Sequence, residues 1–87
     1  MAIWRIEACK GEFGHRSNAS IYQGVRAGLI TKPVPIGARS VGWPDYEIKA
    51  IARARIAGQS EEQIRELVQR LHSERAGLLA VNEEVTQ

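Results

Sequence analysis

Reactive side chains are few in this chain of 87 residues. It holds one cysteine and two histidines, Cys9, His15 and His72. Their spacing matches no zinc pattern, and three scattered ligands are too few for a closed tetrahedral site, so no metal is expected. Nucleophilic catalysis would need Cys9 beside a base and an orienting group. His15 stands six residues away, and a domain this small has little room for a substrate pocket. Gly11 and Gly14 lack the strand-to-helix context and the Lys-Ser/Thr pair of a phosphate loop. The pairs Glu61-Glu62 and Glu83-Glu84 read as solvated charges at helix ends. Neither an enzyme nor a cofactor is expected. Cys9 reads as a small buried thiol and the two histidines as surface imidazoles.

A second set of side chains suits recognition rather than reaction. Gln23 has the geometry to read adenine bidentately, Arg26 to pair with guanine or a phosphate, and the methyl of Ala19 to touch a thymine methyl. Ser20, Asn18 and Tyr22 suit phosphate contacts near a helix N-terminus, where the dipole also favours an anion. Charge is distributed to match. The net formal charge is only +2, but residues 1–40 hold six bases and two acids, whereas residues 41–87 hold six bases and eight acids. A basic front half is suited to a polyanion.

Such a set is useful only if local structure aims it. Residues 3–10 read as a short helix, limited by Gly11 and Gly14, and Gly14-His15-Arg16 as a turn. Ser17 is a good N-cap. The helix it starts runs to about Ala27, with Gly28 as the left-handed residue that ends it. At about 100° per residue, Ile21 and Val25 share a buried stripe, and Ala19, Gln23 and Arg26 project from the other side, with Tyr22 at the flank. Val34 and Ile36 alternate, as do Val41 and Trp43, and Gly37 to Ser40 forms the reversal between them, which is a hairpin pattern. Pro33 and Pro35 cannot donate ladder bonds and fit an exposed edge. Arg39, with Ser40 beside it, stands at the hairpin tip. Pro44 suits the first turn of a third helix, and Asp45 and Glu47 complement its dipole. Ile48, Ile51, Ala52 and Ile56 form its apolar face, and Gly58 stops it. Ser60 and Gln63 make a capping box for a last helix with the stripe Ile64, Leu67, Val68, Leu71 and Leu78.

The order is helix, tight turn, helix, hairpin, helix, helix. The fold class expected is mainly α with a small β-hairpin wing, a winged helix-turn-helix plus an extra C-terminal helix. Residues 1–58 would be the DNA-binding domain, 59–80 an amphipathic helix for packing or dimerisation, and 81–87 a frayed tail. A helix, a Gly-containing turn and a second capped helix make the unit that presents one helix to the major groove. That groove is about 12 Å wide and admits a helix.

The ordered series Ser17-Asn18-Ala19-Ser20-Ile21-Tyr22, Ala27-Gly28, Lys32-Pro33-Val34, Ile36-Gly37, Arg39 and Val41-Gly42-Trp43 resembles the AlpA family of prophage regulatory proteins. The resemblance spans roughly residues 3–57. It implies a MerR-like winged helix-turn-helix, control of transcription from mobile-element promoters, and kinship with excisionases. Residues 17–28 match the family's recognition helix and Arg39 its wing. Gln23 stands where the family often has a basic residue, and Gly24 where it usually has a large apolar one. The latter suggests a loosely packed helix or close approach by another element. His15-Arg16 in the turn is also atypical.

Double-stranded DNA is therefore the expected partner, contacted by Gln23, Arg26 and Ala19 at base edges. Arg16, Ser17, Asn18, Ser20, Tyr22 and Lys32 would meet the backbone, and Arg39 and Ser40 the neighbouring groove. A regulator and an excisionase that bends attachment-site DNA both fit. A third reading, of another class, is a helical adaptor that works through residues 60–79. The stripe Ile64, Leu67, Val68 and Leu71 has two uses, packing on Ile48 and Ile51 as core or oligomerisation with a second copy. The small size of the domain favours a homodimer. No apolar run approaches the roughly 18 residues needed to span a bilayer, Met1-Ala2-Ile3-Trp4-Arg5 has no signal-peptide core, and an unpartnered cysteine suits a reducing compartment. A cytoplasmic, nucleoid-associated protein without membrane contact is expected.

Overall fold

The computed structural model describes residues 2–86, with side chains described through residue 78. Its elements in order are β1 (Ile3–Trp4), α1 (Ile6–Phe13), α2 (Asn18–Arg26), β2 (Val34–Pro35), β3 (Val41–Pro44), α3 (Asp45–Ile56) and α4 (Glu61–Thr86). The protein is mainly helical with a small antiparallel sheet, in the order β1-β3-β2. Val34 pairs with Gly42 and Pro35 with Val41. This is the expected hairpin, closed by Ile36 N–H donating to the Ser40 carbonyl at 2.8 Å. Pro35 lies on the edge strand, where a missing N–H is tolerated.

Two sequence expectations change here. Residues 3–10 do not form one helix. Ile3 and Trp4 form β1, paired with Pro44 and Trp43, and α1 begins at Ile6 and continues through Gly11 to Phe13. Pro44 ends β3 and caps α3 rather than sitting in its first turn.

The core has two connected parts. Cys9, Ile21, Ile30, Trp43 and Ile48 form the first, with Trp4, Ile6, Phe13 and Val25 packed against it. The second consists of Ile51, Ala54, Ile64, Val68 and Leu71, with Leu67 among its partly buried neighbours. The stripe expected to dimerise is therefore committed within the chain. Ile64, Val68 and Leu71 are at most 5% exposed, and Leu67 packs against the same cluster. Of the two uses read for Ile64, Leu67, Val68 and Leu71, the structure shows packing on α3, whereas Leu78 of the same stripe is 41% exposed. Ile56, expected on the apolar face of α3, is 86% exposed. The buried arc of α3 runs through Glu47, Ile48, Ile51, Ala52 and Ala54, and at about 100° per residue Ile56 falls outside it. Ser60 and Gln63 form the reciprocal capping box, Gln63 N–H to Ser60 Oγ at 3.2 Å and Ser60 N–H to Gln63 Oε1 at 2.9 Å. The backbone of α4 is helical through the stretch expected as a frayed tail, as far as Thr86. The side chains of that stretch lie outside the described residues.

The connector between α2 and β2 is held from α4 by a polar node that the sequence did not reveal. Glu47 is fully buried and accepts from Arg75 Nε at 2.8 Å and from Arg75 Nη2 at 2.6 Å. The same Nη2 donates to the Lys32 carbonyl at 2.8 Å. The Lys32 N–H donates to His72 Nε2 at 3.0 Å. His72 is thus a structural acceptor rather than a free surface imidazole. Beside it, Trp43 Nε1 donates to the Thr31 carbonyl at 2.7 Å.

Removing one partner of a buried charge pair strands the other, at a cost of about 3–5 kcal/mol. Arg75→Ala is expected to lower unfolding stability by about that amount in urea titration, with Arg75→Ala/Glu47→Leu recovering much of it. The His72 bond carries a pH dependence. Burial lowers the His72 pKa below 6.5, nearby Arg75 and Lys32 lower it further, and Glu47 opposes the shift. The folded state then binds this proton less readily than the unfolded chain. Its contribution is complete above the unfolded value and is lost as pH falls toward the lowered folded one. A lower Tm at about pH 5 than at about pH 7.5 is expected, with a shallower dependence in His72→Gln.

Candidate nucleic-acid interface

The site is built on α2. Ser17 sits in extended backbone, φ −129° and ψ 153°, and its Oγ accepts from the Ser20 N–H at 3.2 Å. Its hydroxyl also bonds that of Ser20 at 3.0 Å. Gly14 ends α1 in the left-handed region, φ 72°, and Gly28 follows α2 in the same region, φ 79°. Both positions need a residue without a Cβ penalty. With nine residues, α2 is about 13 Å long at about 1.5 Å per residue.

The rotation of α2 is fixed by what it buries. Ile21 is wholly inside, Val25 is packed against the same cluster, and Gly24 allows a close approach. A Cβ at Gly24 would lie 2.6 Å from Ile30 Cδ1 and 2.9 Å from Ile30 Cγ1. Ile30 thus lies directly against the helix at Gly24, the close approach by another element that a glycine there allows. Leu29 and Ile30 N–H groups both return to the Gly24 carbonyl, at 2.8 and 3.2 Å.

The outward side follows. Asn18, Ala19, Tyr22, Gln23 and Arg26 are exposed, as are Arg16 and Ser17 in the preceding turn, whereas Ser20 is half-buried. Among the described residues no hydrogen bond or ion pair holds the side chains of Arg16, Gln23, Arg26, Lys32 or Arg39. Arg39 is exposed in the turn between β2 and β3. The Ser40 carbonyl closes that turn, so its firmest role is in the backbone. Lys32 likewise has its backbone clamped by α4 and its side chain exposed. Tyr22 links helix and hairpin, with its ring 6.0 Å from that of Trp43 on β3. Ser17 and Ser20 are brought together; Arg39 is carried on a separate element, joined to α2 through Trp43.

One residue that positions α2 escaped sequence reading. Arg65 on α4 donates from Nε to the Ala27 carbonyl at 2.9 Å, satisfying a free acceptor at the end of α2. Its stem passes over Gly28. Nothing local in the sequence marks Arg65, since its partner is 38 residues away.

Cys9 is buried, and desolvation pushes its thiol up to about 11, so it stays protonated at neutral pH. His15 lies beside Phe13, ring centroids 5.8 Å apart. Among the described residues no group of three His, Cys, Asp or Glu side chains could hold a metal ion, and no helix is long and apolar enough to cross a membrane. Comparison with family models, curated proteins and solved structures finds no match for this chain.

The contact at Gly24 is testable. Gly24→Ala gains helix propensity but drives a methyl into Ile30. Overpacking of this kind costs about 1–3 kcal/mol, so a net loss of about 1 kcal/mol is expected. Ile30→Val removes the Cδ1 that a Cβ would strike. In a double-mutant cycle by urea unfolding, Gly24→Ala should cost less when combined with Ile30→Val than it does in the parent.

Proposed function

We propose that the chain is a sequence-specific DNA-binding regulator, a winged helix-turn-helix in which α1, the Gly14 turn and α2 form the helix-turn-helix and β2–β3 the wing. The observation that carries the reading is the outward face of α2. Gln23 and Arg26 are exposed with Ile21 buried behind them. A helix held in this way offers its donors to a partner of matching acceptors, and base edges in the major groove present such acceptors.

Three further features support it. The basic excess lies in residues 1–40, which include α1, α2 and the hairpin turn. Arg16, Lys32 and Arg39 are exposed cations outside α2, suited to phosphates and to the adjoining minor groove. The ordered residues from Ser17 to Trp43 resemble the AlpA regulators, whose kinship with excisionases makes promoters or attachment sites of mobile elements the duplexes of interest. In this reading Gln23, Arg26 and Ala19 face bases. Ser17, Asn18, Ser20 and Tyr22 position the helix against the backbone.

Binding to a selected duplex, followed by fluorescence anisotropy, is expected to weaken steeply with salt because phosphate contacts release counterions. Arg26→Ala should cost about 1–3 kcal/mol, or about fivefold to 150-fold, and relax preference at one base pair. Arg39→Ala should weaken all duplexes alike and reduce the salt slope by about one. Both variants should unfold at the parent's urea midpoint. A salt-insensitive affinity, or full affinity in the double variant, would refute the proposal.

A further inference from the structure

Between α2 and β2 the chain passes through Lys32-Pro33-Val34-Pro35. The two prolines have no N–H, so the backbone donors here are those of Lys32 and Val34. Lys32 is held at both of its backbone groups, its N–H by His72 Nε2 at 3.0 Å and its carbonyl by Arg75 Nη2 at 2.8 Å. The two holds differ in kind. Arg75 is a donor at every pH at which the chain is folded, whereas an imidazole accepts only in its neutral form, because both ring nitrogens of an imidazolium carry protons.

A proton added to His72 Nε2 would face the Lys32 N–H, donor against donor. The charged groups around the ring do little to hold the extra charge. Lys32 on the connector and Arg75 on α4 itself are cations, and Glu47 on α3 is the anion. Both oxygens of Glu47 already accept from Arg75. Burial disfavours the proton most and Arg75 next, with Glu47 opposing and Lys32 adding to the effect of Arg75. The hold on the Lys32 N–H must therefore break when His72 takes up its proton.

The flanks are fixed by contacts in which His72 has no part. Upstream, Ile30 and Thr31 are buried, Ile30 lies against Gly24, and the Thr31 carbonyl accepts from Trp43 Nε1. Downstream, the hairpin is closed by the pairing of Val34 with Gly42 and Pro35 with Val41 and by the Ile36 N–H on the Ser40 carbonyl. Its central strand β3 is anchored on β1. The short path from Lys32 to Val34 is what remains to move. We infer that His72 is an acid-released clamp: neutral, it fastens the connector to α4, and protonated, it lets residues 32–34 go while α2 and β3 keep their places. The release is local, distinct from the general loss of stability in acid, and it does not depend on the DNA reading.

The test is amide hydrogen exchange on the full chain at about pH 7.5 and about pH 5, expressed as protection factors so that the intrinsic pH dependence of exchange cancels. The Lys32 N–H is expected to be protected at the higher pH and to lose about tenfold in acid, with the midpoint at which the His72 ring carbons shift. The Ala27 N–H, bonded to the Gln23 carbonyl at the end of α2, should keep its protection. His72→Gln offers an acceptor at every pH and should abolish the acid loss. His72→Leu offers none and should show the loosened connector already at about pH 7.5, with circular dichroism checking its fold. The proposal is overturned if Lys32 is unprotected at the higher pH, if His72→Gln loses protection in acid as the parent does, if folded His72→Leu protects Lys32 as the parent does, or if Ala27 loses protection together with Lys32. No duplex enters the experiment, so its failure leaves the DNA proposal standing.

Discussion

The orientation of α2 about its own axis is the constraint on which the rest of the structure depends. Ile21 is fully buried, and Ile30 lies so close to Gly24 that even one added methyl would collide with it. Two inward contacts one turn apart leave the helix one rotation. The exposed row that includes Ala19, Gln23 and Arg26 is the geometric consequence. Ser17 fixes where this helix begins, and Gly28 with Arg65 fixes where it ends. A recognition surface needs this rigidity, because side chains on a helix free to roll would present no single pattern of donors.

A second layer of organisation holds the hairpin relative to that helix. Lys32 has both backbone groups tied to α4, its N–H to His72 and its carbonyl to Arg75. Thr31 is tied to Trp43 through its carbonyl. The connector thus has little freedom although it is neither helix nor strand. Glu47 is what makes the arrangement stable in a low-dielectric setting. It supplies the counter-charge that lets the Arg75 guanidinium enter, and the guanidinium satisfies both carboxylate oxygens. The last helix therefore acts as a brace for the connector rather than as a free arm.

Much of this was legible in the sequence where the cause is local. The Ser17 cap, the glycines at 14 and 28, the hairpin reversal and the Ser60–Gln63 box each depend on residues within a few positions, and each is present. What escaped depends on distance or on length. β1 has two residues, too few for an alternating pattern, and exists because β3 offers it an edge. Glu47 and Arg75 are 28 residues apart, so no spacing rule pairs them. Glu47 looked like a complement to the helix dipole, and it sits at that end of α3, but its burial is decided by α4. Ile56 looked like part of the apolar face, yet the buried arc of α3 turns toward Glu47 and Ala54 and leaves it outside. The stripe from Ile64 to Leu71 announced that it would be covered, but periodicity does not distinguish a neighbour in the same chain from one in another. The outward position of Gln23 and Arg26 was legible because it follows from the buried stripe on the same helix.

The outward face of α2 is proposed to read base pairs. Selection from a random duplex pool tests it most directly when run in parallel on the parent, Gln23→Ala and Arg26→Ala. The parent should enrich one motif, and each variant should lose preference at its own position while the remainder of the motif survives. Recovery of no motif by the parent, or of an identical motif by all three proteins, would contradict it.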